Sequence, residues 1–316
     1  MSYNLKPAKT FEEQLELLKT RKMEIADDAK AIKALRHINY YRFTGYAFLF
    51  QKVNGQYKVS MARVLRIMEF DAEMRKLLLR YLEYIELHMR TQIAYWFAHA
   101  HGRDGGAHYD AKNFVREDFH ADYLCSLAKQ IDRNKNQPFV QHHIVAFGGK
   151  MPIWCAVEIL SFSALSKLYS NMLPQDKDLI AANVDTDAAH LNNWLHCFSV
   201  LRNSCAHYAR LYCNELTPNI SLDRATLRQQ SELKTNTLFA YLIAMLRLIP
   251  DAAMKAALVD DLKRLIAAYN QDISLADVSF PDNWEKILRD EKVICLKKVS
   301  EDKKIIPDIP QEKEES

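Results

Sequence analysis

Apolar residues Val64, Ile67, Met68, Met74, Leu77, Leu78, Leu82, Ile85, Met89, Ile93 and Phe97 recur at spacings of three and four between Ser60 and Gly102. Residues so spaced share one face of an α-helix, and the stretch reads as one very long helix or two in line. Only 7 Gly and 9 Pro in 316 residues leave few sharp turns. Ala, Leu, Lys, Glu and Met are plentiful, so composition favours helices as well. The expected fold class is all-α, and 49% hydrophobic content is enough for at least one large core.

The rest of the chain extends this pattern. Phe11 to Lys22 reads as a first helix with Thr10 as N-cap, Glu12 and Glu13 in its first turn, and Leu15, Leu17 and Leu18 facing inward. A second runs from about Asp27 to Ile38, followed by the aromatic stretch Tyr40 to Tyr46. Asn54-Gly55 is the clearest turn, with a short hairpin as one reading. Gly102 to Gly106 ends the long helical segment, Asp118 to Lys135 is helical, and His142 to Met151 reads as a polar loop. Pro152 opens one amphipathic helix carrying Trp154, Val157, Ile159, Leu160, Leu165, Leu168 and Met172. Another spans about Ala188 to Ala206. Thr235 to Leu248 and Ala252 to Tyr269 form a late helical hairpin broken at Pro250, Trp284 to Leu288 makes a short turn, and the charged tail after Leu296 is expected to be disordered.

With 43 basic and 40 acidic residues the formal charge is +3, so any nucleic-acid surface must be local. The six cysteines contain no Cys-x2-Cys pair and mostly have apolar neighbours, which argues for small buried side chains over a disulfide framework or a zinc site. No stretch approaches 18 uncharged apolar residues and the N-terminus lacks an apolar leader. A cytoplasmic protein without a membrane span is expected.

The element with chemical content is Arg202-Asn203-Ser204-Cys205-Ala206-His207, which closes the amphipathic run from Trp194 to Leu201. Arginine offers a planar donor fork to phosphate oxygens, and histidine moves protons near neutral pH. Together they meet the needs of metal-free phosphodiester cleavage in RNA. On an ideal helix Asn203, His207 and Arg210 form one stripe, with Arg202 one step around and Asn203 placed to orient His207 or its counterpart in a second subunit. In-line attack by a ribose 2′-hydroxyl needs a base and an acid on opposite sides of phosphorus. One histidine cannot serve both, so a homodimer pairing two copies of the element is the simplest complete site. Its products would be a 2′,3′-cyclic phosphate and a 5′-hydroxyl, and DNA should resist.

Spacing alone is weak evidence, because 18 arginines and 11 histidines give roughly 0.6 chance matches. A second match, Arg103 to His108, lies in a glycine loop without fixed helical geometry and reads as the chance one. The bland account of Arg202 and His207 is a surface arginine in a salt bridge and a histidine favoured near a helix C-terminus.

Several segments carry a resemblance that covers most of the chain. They are Phe11 to Leu18, Ile38-Asn39-Tyr40-Tyr41-Arg42-Phe43-Thr44-Gly45-Tyr46, Ile85-Glu86-Leu87-His88-Met89-Arg90-Thr91, Pro152-Ile153-Trp154 with Glu158 and Ser161-Phe162, and Trp194 leading to Leu201 through Tyr212. The whole resembles the Abi-like (AbiD/AbiF) abortive infection proteins of bacteria, and that family resembles the HEPN superfamily of helical ribonucleases with an Arg-x4-6-His element. The resemblance implies that Arg202, Asn203 and His207 are catalytic, that the biology is defence against phage through RNA cleavage, and that a structured noncoding RNA or another partner regulates the enzyme. HEPN-like domains also occur as inactive RNA-binding or partner modules, so a non-catalytic RNA-binding or protein-interaction component is the alternative.

Weaker candidates accompany the element. Glu86 and Arg90, four apart, could support the site or RNA, against a plain intrahelical ion pair. Tyr41 and Arg42 could stack bases and bind phosphate, against aromatic packing. Arg210 could add a phosphate contact. Arg63, Arg66, Arg75, Lys76 and Arg80 could line an RNA path, with a solvated helix face as the default. Trp154 reads as core, and His142 and His143 as loop residues. His99 and His101, with His108 and His120, lack a completing carboxylate, so neither a metal nor another cofactor is expected. The implied layout is an N-terminal helical segment over 1–59, a HEPN-like domain over 60–250, and a C-terminal helical extension with tail over 251–316.

Overall fold

The computed structural model describes residues 7–52 and 54–295, which leaves the tail expected to be disordered outside the described residues. Within them the chain is an all-α helical bundle, with isolated β-bridges and no strand. In chain order the helices are α1 (Phe11–Thr20), α2 (Asp28–His37), α3 (Tyr40–Ala47), α4 (Met61–Ala100), α5 (Glu117–Arg133), α6 (Pro138–Phe147), α7 (Ile153–Ile159), α8 (Phe162–Asn171), α9 (Pro174–Ala182), α10 (Ala188–Ala206), α11 (Arg224–Gln229), α12 (Leu238–Leu248), α13 (Ala252–Tyr269), α14 (Trp284–Arg289) and α15 (Glu291–Ile294). The long periodic segment is thus a single helix, α4, of 40 residues.

The chain forms two compact units. The first comprises the residues up to Leu77 with Arg210–Asn214 and Asp261–Asp282; the second holds Leu78–Ala209, Glu215–Asp260 and the described residues from Asn283.

In the first unit, α1 begins with a reciprocal cap. Thr10 Oγ1 accepts the Glu13 amide at 3.2 Å, and the Glu13 carboxylate accepts the Thr10 amide at 2.8 Å. Leu15 and Leu18 are buried, while Leu17 stays partly exposed. Asn39 caps α3 by accepting the Tyr41 amide at 2.9 Å, so the aromatic stretch is itself helical, with Phe43 and Tyr46 inside. Among the described residues the Asn54-Gly55 turn closes one antiparallel bridge, between Gln51 and Tyr57.

A buried carboxylate, Asp71, organises this unit. It accepts the Tyr46 hydroxyl at 2.6 Å and the amides of Leu211 and Tyr212 at 3.1 and 2.8 Å, and it pairs with Arg75. Burial, with Asp71 beside it, pushes the Tyr46 phenol up to about 12 and keeps it a donor. The basic face expected on α4 is therefore not uniformly solvated. Arg75 is inside the unit, and Arg66 is held by Glu69 at 2.6 Å and Asp272 at 3.2 Å.

In the second unit α8 packs on α10 and α5, α9 on α10, and α12 on α14 and α15. Every residue of α12 is buried, which makes it the central helix of this unit. Its one charge, Arg247, is neutralised by Asp223 at 2.7 Å. Burial alone would raise Asp223, but the Thr226 amide and hydroxyl and Arg247 hold it down at about 2.

Four expectations are corrected here. The stretch expected as a loop from His142 to Met151 is loop only from Gly148 onward: Pro138 at the first turn and left-handed Gly148 at the end bracket α6, which carries His142 and His143. The amphipathic run after Pro152 is two helices, because Leu160 and Ser161 are extended and Ser161 Oγ caps the Ala164 amide at 3.2 Å. The apolar spacing runs through this break because both helices face the same core. Trp154 is 50% exposed instead of buried, since it occupies the outer face of α7. Of the six cysteines, all free, only Cys197 and Cys205 are buried.

Candidate active site at the end of helix α10

Helix α10 is fixed at both ends and along its length. Asp187 caps it by accepting the His190 amide at 2.9 Å. Leu191, Trp194, Leu195 and Phe198 are fully buried, and the Trp194 indole donates to the Ser221 carbonyl at 2.7 Å. At the C-terminus the Tyr208 amide bonds the Cys205 carbonyl at 3.1 Å and the Ala209 amide bonds Ser204 at 2.9 Å, the paired bonds of a Schellman cap. Tyr208 supplies the left-handed residue at φ 62°, a position glycine normally fills, at a cost of about 1 kcal/mol or more. His207 is the C-cap itself.

This termination separates the predicted residues. Arg202 and Asn203 lie in the last helical turns, half-exposed; His207 stands exposed at the helix end, and among the described residues its imidazole has no hydrogen-bond or ion-pair partner. Arg202 Nη1 donates to Asn203 Oδ1 at 3.2 Å, and Asn203 Nδ2 donates to Ser163 Oγ on α8 at 3.3 Å. Within one subunit Asn203 thus bonds Arg202 and Ser163 through its side chain. Its only tie to His207 is backbone, the His207 amide donating to the Asn203 carbonyl at 2.9 Å.

Behind Arg202 lies a buried pair. One Glu86 oxygen holds Arg90, and the other is 3.7 Å from Arg202 Nε. Arg90 also donates to the Leu160 carbonyl at 2.7 Å. The intrahelical ion pair read from the i,i+4 spacing is present, but both partners are buried, so removing either would strand a charge. The result is a continuous array, Ser163, Asn203, Arg202, Glu86, Arg90 and Leu160, that braces the Arg202 guanidinium, while His207 stands exposed five residues on at the helix end. Ser163 was not legible as a member, since only the α8 packing brings it to α10.

The second Arg-x4-His match is structural. His108 is fully buried; its Nε2–H donates to the Met151 carbonyl at 2.8 Å and its Nδ1 accepts the Tyr123 hydroxyl at 2.7 Å. Burial pushes its imidazole down to about 4, which keeps it neutral.

The remaining candidates are elsewhere. Arg210 follows the reversal at Tyr208, so it leaves the helical stripe; its guanidinium bonds the Gly45 carbonyl and sits 5.9 Å from the Tyr46 ring centroid, within the first unit. Tyr41 is 77% exposed and Arg42 exposed on α3, which belongs to the first unit, whereas Arg202 and His207 belong to the second. His101 pairs with buried Asp176 at 3.2 Å, and His120 bonds the His108 carbonyl at 3.0 Å. Among the described residues no group of three or more His, Cys, Asp and Glu is arranged to hold a metal, and no described helix is long and apolar enough to cross a membrane.

No curated protein and no solved structure matches the chain. A family model described as Abi-like protein matches residues 33–213, from within α2 to just past the Arg202–His207 element and over more than half of the sequence. The chain belongs to the Abi-like protein family.

Proposed function

We propose that this protein is a HEPN-type, metal-independent endoribonuclease of bacterial anti-phage defence, acting as a homodimer with Arg202 and His207 of each subunit in the site. The observation that carries the reading is the contrast between a guanidinium braced by Glu86 and Asn203 and an exposed histidine with no partner among the described residues. A fixed cation can meet the charge that develops on the nonbridging oxygens without reorganising, while an unencumbered imidazole is available to exchange protons.

In this scheme the ribose 2′-hydroxyl attacks phosphorus as one His207 takes its proton. The His207 of the second copy protonates the departing 5′-oxygen. The bond from phosphorus to the 5′-oxygen breaks, leaving a 2′,3′-cyclic phosphate and a 5′-hydroxyl. Arg202 donates to the nonbridging oxygens, and Asn203 keeps it in place. Membership of the Abi-like family supports the defence setting, and a regulatory partner such as a structured noncoding RNA follows from the need to restrain an RNase in its own host.

The test is cleavage of a single-stranded RNA in EDTA, beside the same strand with one 2′-deoxy nucleotide at the cut site. The intact strand should be cut and the substituted one spared at that position; equal cutting of both would remove 2′-hydroxyl attack from the account.

A further inference from the structure

A groove of the second unit combines aromatic and basic side chains. It measures about 440 Å³ and is lined by Arg90, Tyr95, His99, Arg103, Trp154 and Glu158, among others. Each ring in it is placed by local structure. Tyr95 and His99 are four apart on α4, stack with centroids 4.0 Å apart at 29°, and are locked by a bond from His99 Nδ1–H to the Tyr95 carbonyl at 2.8 Å. Arg103 enters because α4 ends on left-handed Gly102, with the Arg103 amide bonded to the Ala98 carbonyl at 2.8 Å. Trp154 lies against Gly105, where a Cβ would come within 2.6 Å of its ring, and the Ile153 amide donates to the Gly105 carbonyl at 2.8 Å.

Two further facts say what such a groove is for. Tyr95 is 46% and Trp154 50% exposed, which leaves part of both rings open to a flat ligand, with the exposed Arg103 in the same groove. Stacking surfaces flanked by cations suit an unpaired base and its phosphate, and a duplex would hide those base faces. Arg90 lines the groove and also holds Glu86, whose other oxygen faces Arg202, so the groove adjoins the candidate active site through one side chain.

We propose that the Tyr95, His99 and Trp154 groove holds one unpaired nucleobase of the RNA, with Arg103 beside its phosphate. The proposal rests on the reading of RNA as substrate, and it names single-stranded RNA as the form taken. Base stacking here would set the register of the strand on Arg202 and His207.

Trp154 is its own reporter, because Trp194 and Trp284 are buried and Trp96 is half-buried with its indole bonded to Gln92 at 3.0 Å. The experiment titrates full-length His207→Ala protein in EDTA with a short oligouridylate and with a duplex of equal length, following tryptophan emission. The single strand should quench emission to saturation and the duplex should not. Tyr95→Ala and Trp154→Ala should each weaken binding by about tenfold, and Trp154→Phe should retain affinity while removing most of the quench, leaving only what Trp96 senses through its edge contact with Tyr95 at 5.0 Å. Arg103→Ala should lower the salt slope of binding by about one.

Unchanged affinity in both alanine variants, equal quenching by duplex, or an emission change that follows protein self-association instead of RNA would overturn the groove assignment. Cleavage by the wild-type protein is scored separately. A quench that behaves as stated in a protein that never cuts RNA supports the groove and sinks the nuclease reading. Cutting by a protein whose groove variants bind like wild type does the reverse.

Discussion

Glu86 faces Arg202 Nε at 3.7 Å with one carboxylate oxygen while the other is committed to Arg90. A single buried acid on α4 thus ties the cation of the candidate site to the body of the second unit. Removing one member of a buried pair costs ~3–5 kcal/mol, whereas replacing both with apolar groups of similar size is close to neutral. Glu86→Gln should lower the melting temperature sharply and abolish cleavage. The double variant Glu86→Leu, Arg90→Met should recover most of the stability and none of the activity, because Arg202 remains unbraced. Thermal melts alongside cleavage assays separate the two effects.

Asn203 bridges Arg202 to Ser163, so in the proposed reaction it would act through Arg202. Asn203→Ala should reduce kcat by about a hundredfold, the scale of a misplacement near 1 Å, with little change in melting temperature. Ser163→Ala removes only the outer bond and should cost less. Equal loss in both, or a loss confined to KM, would place Asn203 in substrate binding instead.

If each active site draws one histidine from each of two subunits, mixing wild-type and His207→Ala protein should poison it. Activity would fall with the square of the wild-type fraction, so that an equal mixture retains about a quarter of the activity and not about half. A linear dependence would mean that each subunit works alone.

Gly105 has no unusual φ; it is needed because Trp154 and Pro152 leave no space for a Cβ. Gly105→Ala should destabilise by ~1–3 kcal/mol, the cost of an added methyl at a tight contact, and should shift tryptophan emission by displacing the indole. An unchanged emission spectrum would show that the ring is not held there.

His108 gives the fold an acid limit. Burial holds its imidazole down at about 4, below the ordinary histidine value near 6.5. The unfolded chain therefore binds a proton that the folded chain refuses as pH falls, and stability that is complete above about pH 6.5 is lost on descent towards pH 4, by about 3 kcal/mol in all. His108→Gln, which keeps an amide donor and acceptor but does not titrate, should flatten the dependence of the melting temperature on pH across this window.

The helices that carry the candidate site were the most readable part of the sequence. The bounds of α10 follow from its apolar face and Asp187, and α4 from an uninterrupted three-four pattern. What the sequence concealed depends on depth and on cross-helix packing. The i,i+4 spacing of Glu86 and Arg90 is the same whether a pair is solvated or buried, and only the arrangement of α4 against Leu160 and Arg202 distinguishes these cases. Ser163 reaches Asn203 because Ser161 stops one helix and starts another, where apolar periodicity alone continues smoothly. Trp154 was misjudged because a large apolar residue on an amphipathic helix is usually inside, and only the loop at Gly105 shows that its face is outward. Arg210 was misplaced by extending an ideal helix past Tyr208, a residue whose left-handed backbone no propensity rule predicts.

The most direct measurement is end analysis of RNA incubated in EDTA with wild-type protein and with His207→Ala. The account predicts that the wild type yields 2′,3′-cyclic phosphate and 5′-hydroxyl ends and that His207→Ala, still folded by melting temperature, yields neither. Fragments ending in 3′-hydroxyl and 5′-phosphate, or undiminished cutting by His207→Ala, would contradict it.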